Sequence, residues 1–193
     1  MYFVATGKGD GSHRFSDTLQ QHEAAVRDYL RRIGREDDWT ELQGYVYGAR
    51  MDEAVAFPGA LEFFAEAVRR GIGVVIISHK TRHPYRGERY DLQDAARHWL
   101  EINGFFDPSR IGLSPSAIFF EETKAGKLER IGRQRCTHFV DDLPEFLLDG
   151  AFPSGTERIL FRPQGADAVD HAGFPSVFTG WRQIAEYVWN LAS

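Results

Sequence analysis

The sequence predicts a doubly wound α/β fold, a mostly parallel sheet with helices on both faces and a small helical cap insertion at about residues 22–55. Three observations carry that prediction. Short apolar runs ended by polar residues alternate with stretches of helical periodicity, as strands alternate with crossover helices. The 193 residues, 42% hydrophobic and 26% charged, suit a single globular unit with a substantial core. Finally, two consecutive helical patterns with no strand between them interrupt the alternation near the N-terminus.

Gly73 to Ser78 and Thr137 to Asp142 read as buried strands, because each is a short apolar run handing over to a polar loop. Ala117 to Phe120, Arg158 to Phe161 and Ser176 to Phe178 read as further short strands. Gly59 to Arg70 reads as a helix, with Ala60, Leu61, Phe63, Phe64, Ala67 and Val68 at helical spacing, Pro58 ahead of it and Gly71 behind. Leu92 to Ile102, Lys124 to Ile131 and Trp181 to Leu191 repeat the pattern. Ala24 to Ile33 and Trp39 to Tyr47 form the insertion, where Trp39, Tyr45 and Tyr47 are expected to pack rather than line a pocket.

Several function classes are disfavoured. The longest apolar run, Gly73 to Ile77, falls far short of the roughly 20 residues a membrane span needs. The N-terminal stretch has no secretory pattern, so a cytoplasmic location is expected. A net charge of −5 argues against broad nucleic-acid binding, and the cluster His79-Lys80-Thr81-Arg82-His83 with Arg86 is better suited to attracting a small anionic substrate. Cys136, the one cysteine, reads as a small apolar residue rather than a nucleophile.

Chemistry concentrates in three places. Thr137-His138-Phe139-Val140-Asp141-Asp142 is an apolar strand ending in two carboxylates, and ligands of open α/β sheets bind beyond the carboxyl ends of the strands. Adjacent carboxylates repel, and a hard cation such as Mg²⁺ relieves that repulsion. Ser78 ends the strand from Gly73, where its hydroxyl, with the backbone amides from His79 onward, is suited to a phosphate oxygen. Lys124 opens a helix leading into the acidic strand, a position that opposes the helix dipole unless an anion lies close. Each feature alone has an ordinary structural explanation: a turn serine, an exposed lysine, a capping aspartate.

The order of these features, a serine-ended strand, a lysine-started helix and a strand ending Asp-Asp, resembles the second to fourth motifs of the haloacid dehalogenase (HAD) superfamily, over roughly residues 56–149. Receiver domains share the ingredients in a different order, with the acidic pair first. The resemblance implies a HAD-like phosphohydrolase scaffold for a small phosphorylated metabolite. By it, Ser78 and His79 bind phosphate, Lys124 is the catalytic and phosphate-binding lysine with Lys127 as its alternative, and Asp141 and Asp142 hold Mg²⁺.

The family's first motif, Asp-x-Asp with an attacking and an acid-base aspartate, is not found. Lys8-Gly9-Asp10-Gly11-Ser12 is its nearest counterpart, with Lys8 in the nucleophile's place and Asp10 as the remaining catalytic candidate. Two expectations follow: either the family's first strand lies upstream of Met1, or the motif has decayed and the domain binds phosphate without hydrolysing it. A missing central strand also leaves neighbouring edges unpaired, which favours homo-oligomers.

Overall fold

The computed structural model describes residues 2–5, 13–16, 19–163, 174 and 176–191. They form a mixed α/β structure. The strands are β1 (Tyr2–Ala5), β2 (His13–Ser16), β3 (Ile76–His79), β4 (Ile118–Glu121), β5 (His138–Asp141), β6 (Glu157–Phe161) and β7 (Ser176–Phe178). The α-helices are α1 (Leu19–Arg32), α2 (Glu36–Ala49), α3 (Ala60–Arg69), α4 (Leu92–Ile102), α5 (Lys124–Arg133), α6 (Pro144–Leu147) and α7 (Trp181–Leu191).

The parallel strands divide between two ladders, β3-β4 and β5-β6-β7, while β1 and β2 pair antiparallel by themselves. Among the described residues β3 pairs only with β4, and β5 only with β6, so each keeps one open edge. Ile76 pairs with Ile118 and His79 with Glu121 in the first ladder. Phe139 pairs with Arg158 and Asp141 with Leu160 in the second.

Side-chain alternation along the strands explains how the two ladders are held together. Ile77 and Phe139 share a core with Leu128 and Ile131 of α5, so α5 spans both ladders on one face. On the other face α3 does the same: Phe64 packs with Ile118 of β4, and Phe63 with Ile159 of β6. Ile159 and Leu160, neighbours in β6, are both fully buried yet belong to different cores, as expected of a strand covered on two sides. Each such side chain contributes about 1.5–3 kcal/mol by leaving water.

The strand from Gly73 is shorter at its start than the apolar run suggests, because its ladder begins only where β4 supplies a partner, at Ile76 opposite Ile118. Val74 and Val75 still pack, against different cores. Helix α5 runs two residues past Ile131, through Gly132, and the left-handed turn that follows is taken by Arg135 with φ 51°.

The helical insertion is present as α1 and α2, and α2 is fastened to the loop that follows β3. A methyl group on Gly44 would lie 2.7 Å from Pro84 Cβ, and one on Gly48 only 2.4 Å from Tyr90 Cβ, so the helix backbone lies directly on that loop. Arg86 reaches Asp37 at 2.9 Å, and Tyr45 meets the Tyr90 ring edge-on. We predict that Gly48→Ala lowers the urea midpoint by the equivalent of about 1–3 kcal/mol through overpacking, outweighing the better helix propensity of alanine. Gly150→Ala, whose methyl meets nothing within 4 Å, should leave the midpoint unchanged.

Candidate functional site

The site is set by where α5 begins. Thr123 caps that helix by accepting the Gly126 amide at 3.0 Å, which fixes the rotation of the helix. Lys127 then falls on the inward stripe with Leu128 and Ile131, and it is buried despite its charge. Its ammonium donates to Asp141 Oδ2 at 2.5 Å, with both side chains only 8% exposed. It also lies 4.0 Å from the centre of the Phe146 ring, against an aromatic face that favours a cation. Asp141 Oδ1 accepts the Leu143 amide at 3.0 Å, so both carboxylate oxygens have partners.

Asp142 follows directly, and no hydrogen bond from another residue holds its carboxylate among the described residues. Although Asp142 is exposed as a residue, desolvation of its carboxyl, then the Asp141 charge, push it above the usual aspartate range, while its own backbone amide and Lys127 oppose the shift. Lys124 is directed elsewhere: it bonds Asp149 Oδ2 at 2.8 Å and the Glu145 carbonyl at 3.2 Å. That bond, with one from the Ala151 amide, holds Asp149 below the ordinary aspartate range. Of the two lysines that the resemblance leaves open, Lys127 is therefore the one that meets the acidic strand end.

Ser78 stands next to the end of β3, opposite Phe120, and its hydroxyl makes no hydrogen bond among the described residues. His79 turns its ring to the Glu122 carbonyl at 3.2 Å. In the first ladder the strand ends coincide, His79 beside Glu121, in the second Asp141 stands beside Leu160, one residue before the end of β6, and α5 ties the two ladders together. Asp10 and Lys8 lie outside the described residues. Cys136 is half-buried, and burial raises its thiol pKa, in keeping with an unreactive apolar role.

No group of three or more metal-capable side chains occurs among the described residues. Mg²⁺ is commonly held by one or two carboxylates, with water and phosphate oxygens completing its shell. Asp142, crowded by like charge and without a cationic partner of its own, has the chemistry for such a ligand, whereas Asp141 is already committed to Lys127. In comparisons with known proteins, no family model, curated protein or solved structure matches this chain. Among the described residues no helix is long and apolar enough to cross a membrane.

Two predictions follow from the geometry. Lys127→Met leaves Asp141 buried without its cation and should cost about 3–5 kcal/mol in chemical unfolding, whereas Lys124→Met should cost no more than about 1 kcal/mol because its pair is exposed. For Asp142 the folded-state pKa lies above the unfolded value near 3.8, so its contribution to stability is full below that pH and is lost as pH rises through the folded value. In EDTA, Asp142→Asn should therefore melt slightly higher than the wild type at pH 7, a small effect because the residue is exposed, with the difference closing on acidification.

Proposed function

We propose that this chain is a HAD-like phosphohydrolase scaffold that holds the phosphoryl group of a small phosphorylated metabolite together with Mg²⁺. The observation that carries this reading is the buried Lys127–Asp141 pair followed at once by the uncommitted Asp142 carboxylate. The free Ser78 hydroxyl at the end of the other ladder supports it. In this arrangement Ser78 donates to a phosphate oxygen, and Lys127 adds positive charge while keeping Asp141 ionised and in place. Asp142 would hold Mg²⁺, which when bound neutralises phosphate charge.

A phosphoryl-transfer site also needs an attacking group. Asp141 is tied to Lys127, and Asp142 is assigned to the metal, so neither serves that role. The scaffold is thus proposed as impaired in hydrolysis unless a nucleophile is supplied from outside the described residues. Lys8, standing where the family carries its nucleophile, favours a second reading in which the domain binds phosphate or a metabolite without turnover.

The test is Mg²⁺ and phosphate binding by calorimetry, beside hydrolysis of an aryl phosphate in Mg²⁺ and in EDTA. Mg²⁺-dependent phosphate binding without turnover is expected, and Asp142→Asn should strongly weaken the metal affinity. An unchanged Mg²⁺ affinity in that variant would overturn the assignment of Asp142. Metal-dependent hydrolysis would instead locate a nucleophile beyond the described residues.

A further inference from the structure

Several basic side chains around the strand ends are matched to acids. Arg82 pairs with Asp91 at 2.9 Å and Arg86 with Asp37 at 2.9 Å. Across the site Lys124 pairs with Asp149, Lys127 with Asp141 and Arg130 with Glu121. Lys80, the second residue after Ser78, has no carboxylate partner among the described residues. Its backbone is pinned on both sides, since its amide donates to the Glu121 carbonyl at 2.9 Å and its carbonyl accepts from Gln93 Nε2 at 2.9 Å. The side chain crosses to the helical insertion, where its ammonium sits 4.9 Å from the centre of the Tyr47 ring on α2.

Taking a cation out of water without an anion is costly, and an aromatic face offsets only part of that cost. Burial accordingly lowers the Lys80 pKa, with no acidic neighbour to restore it. Such an arrangement is useful where an anion arrives with a ligand. Lys127 is directed toward Asp141 and Phe146, on the β5 and α6 side, whereas Lys80 is directed toward α2, so the two ammonium groups serve different walls. A lysine ammonium is a compact point charge, which can pair with a carboxylate without the planar, doubly bonded contact that an arginine makes.

We propose that Lys80, with Tyr47 beneath it, is a specificity subsite that binds a second anionic group, a carboxylate, on a phosphorylated acid. This rests on the phosphate-site reading above. It gives the helical insertion a direct part in recognition, because Tyr47 comes from α2 and the seam at Gly44 and Gly48 keeps that helix on the loop carrying Lys80.

Phosphonates resist hydrolysis, so the test does not depend on turnover. Calorimetry in Mg²⁺ would compare methylphosphonate with phosphonoacetate and 3-phosphonopropionate, on the wild type and on Lys80→Gln and Tyr47→Leu. The wild type should bind at least one carboxylated probe about tenfold more tightly than methylphosphonate, the worth of one charge-assisted hydrogen bond. Lys80→Gln should abolish that preference and leave methylphosphonate affinity unchanged, with Tyr47→Leu reducing the preference. Equal binding of all three probes by the wild type would overturn the subsite while leaving the phosphate reading intact. An equal loss for all probes in Lys80→Gln would overturn it too, placing Lys80 in the phosphoryl pocket. If the wild type binds none of the probes, both readings fall.

Discussion

The ion pair between Lys127 and Asp141 is the constraint on which the site depends. A lysine on the inward stripe of α5 would be untenable without it, since an unpaired ammonium among Leu128, Ile131 and Phe139 would cost several kcal/mol. With the pair made, α5 can keep its apolar stripe against both ladders and still bring a charge to the end of β5. Asp142, the next residue, is exposed instead, so one interaction serves packing and also leaves two adjacent acids in different surroundings.

The edges that β3 and β5 leave open among the described residues give that pair added weight. Parallel strands ordinarily gain their cohesion from ladder bonds on both sides, yet these two are joined through side chains, by α5 on one face and α3 on the other. Aromatic packing carries much of the second bridge, where Phe63 meets Trp181 at 5.2 Å between ring centres and Phe64 meets Phe105 at 5.0 Å. A ligand gripping Ser78 on one ladder and Asp142 on the other would draw together parts that the backbone leaves separate.

Elements with strong local periodicity were legible in the sequence. Leu92 to Ile102 and Trp181 to Leu191 occur with the bounds that their apolar spacing suggests, and Ser176 to Phe178 does likewise among the strands. Strand starts were less legible because a ladder exists only where a partner stands opposite, and that partner, Ile118 for Ile76, is 42 residues away in the chain. The hairpin partner His13–Ser16 carries no clear alternation and was not foreseen. At the site, the acidic pair and Ser78 were visible as strand-end residues. The choice between Lys124 and Lys127 depended on helix rotation, for which the signal was present: Lys127 is spaced with Leu128 and Ile131 as a buried residue would be. The isolation of Lys80 was not legible, because it follows from where other residues' carboxylates went.

The glycine seam on α2 separates the two sides of that helix by how freely each can vary. Gly44 and Gly48 touch Pro84 and Tyr90, so a larger residue on either side of the seam is tolerable only with a smaller one opposite, and these positions would drift as coupled pairs. Tyr47, although next to Gly48 in sequence, is over 40% exposed, and its ring meets the Lys80 ammonium. On the proposed subsite, substitution there would change what meets an incoming ligand while Gly44 and Gly48 stay against the loop. On that reading, the insertion would let recognition diversify at one position while its attachment is inherited unchanged.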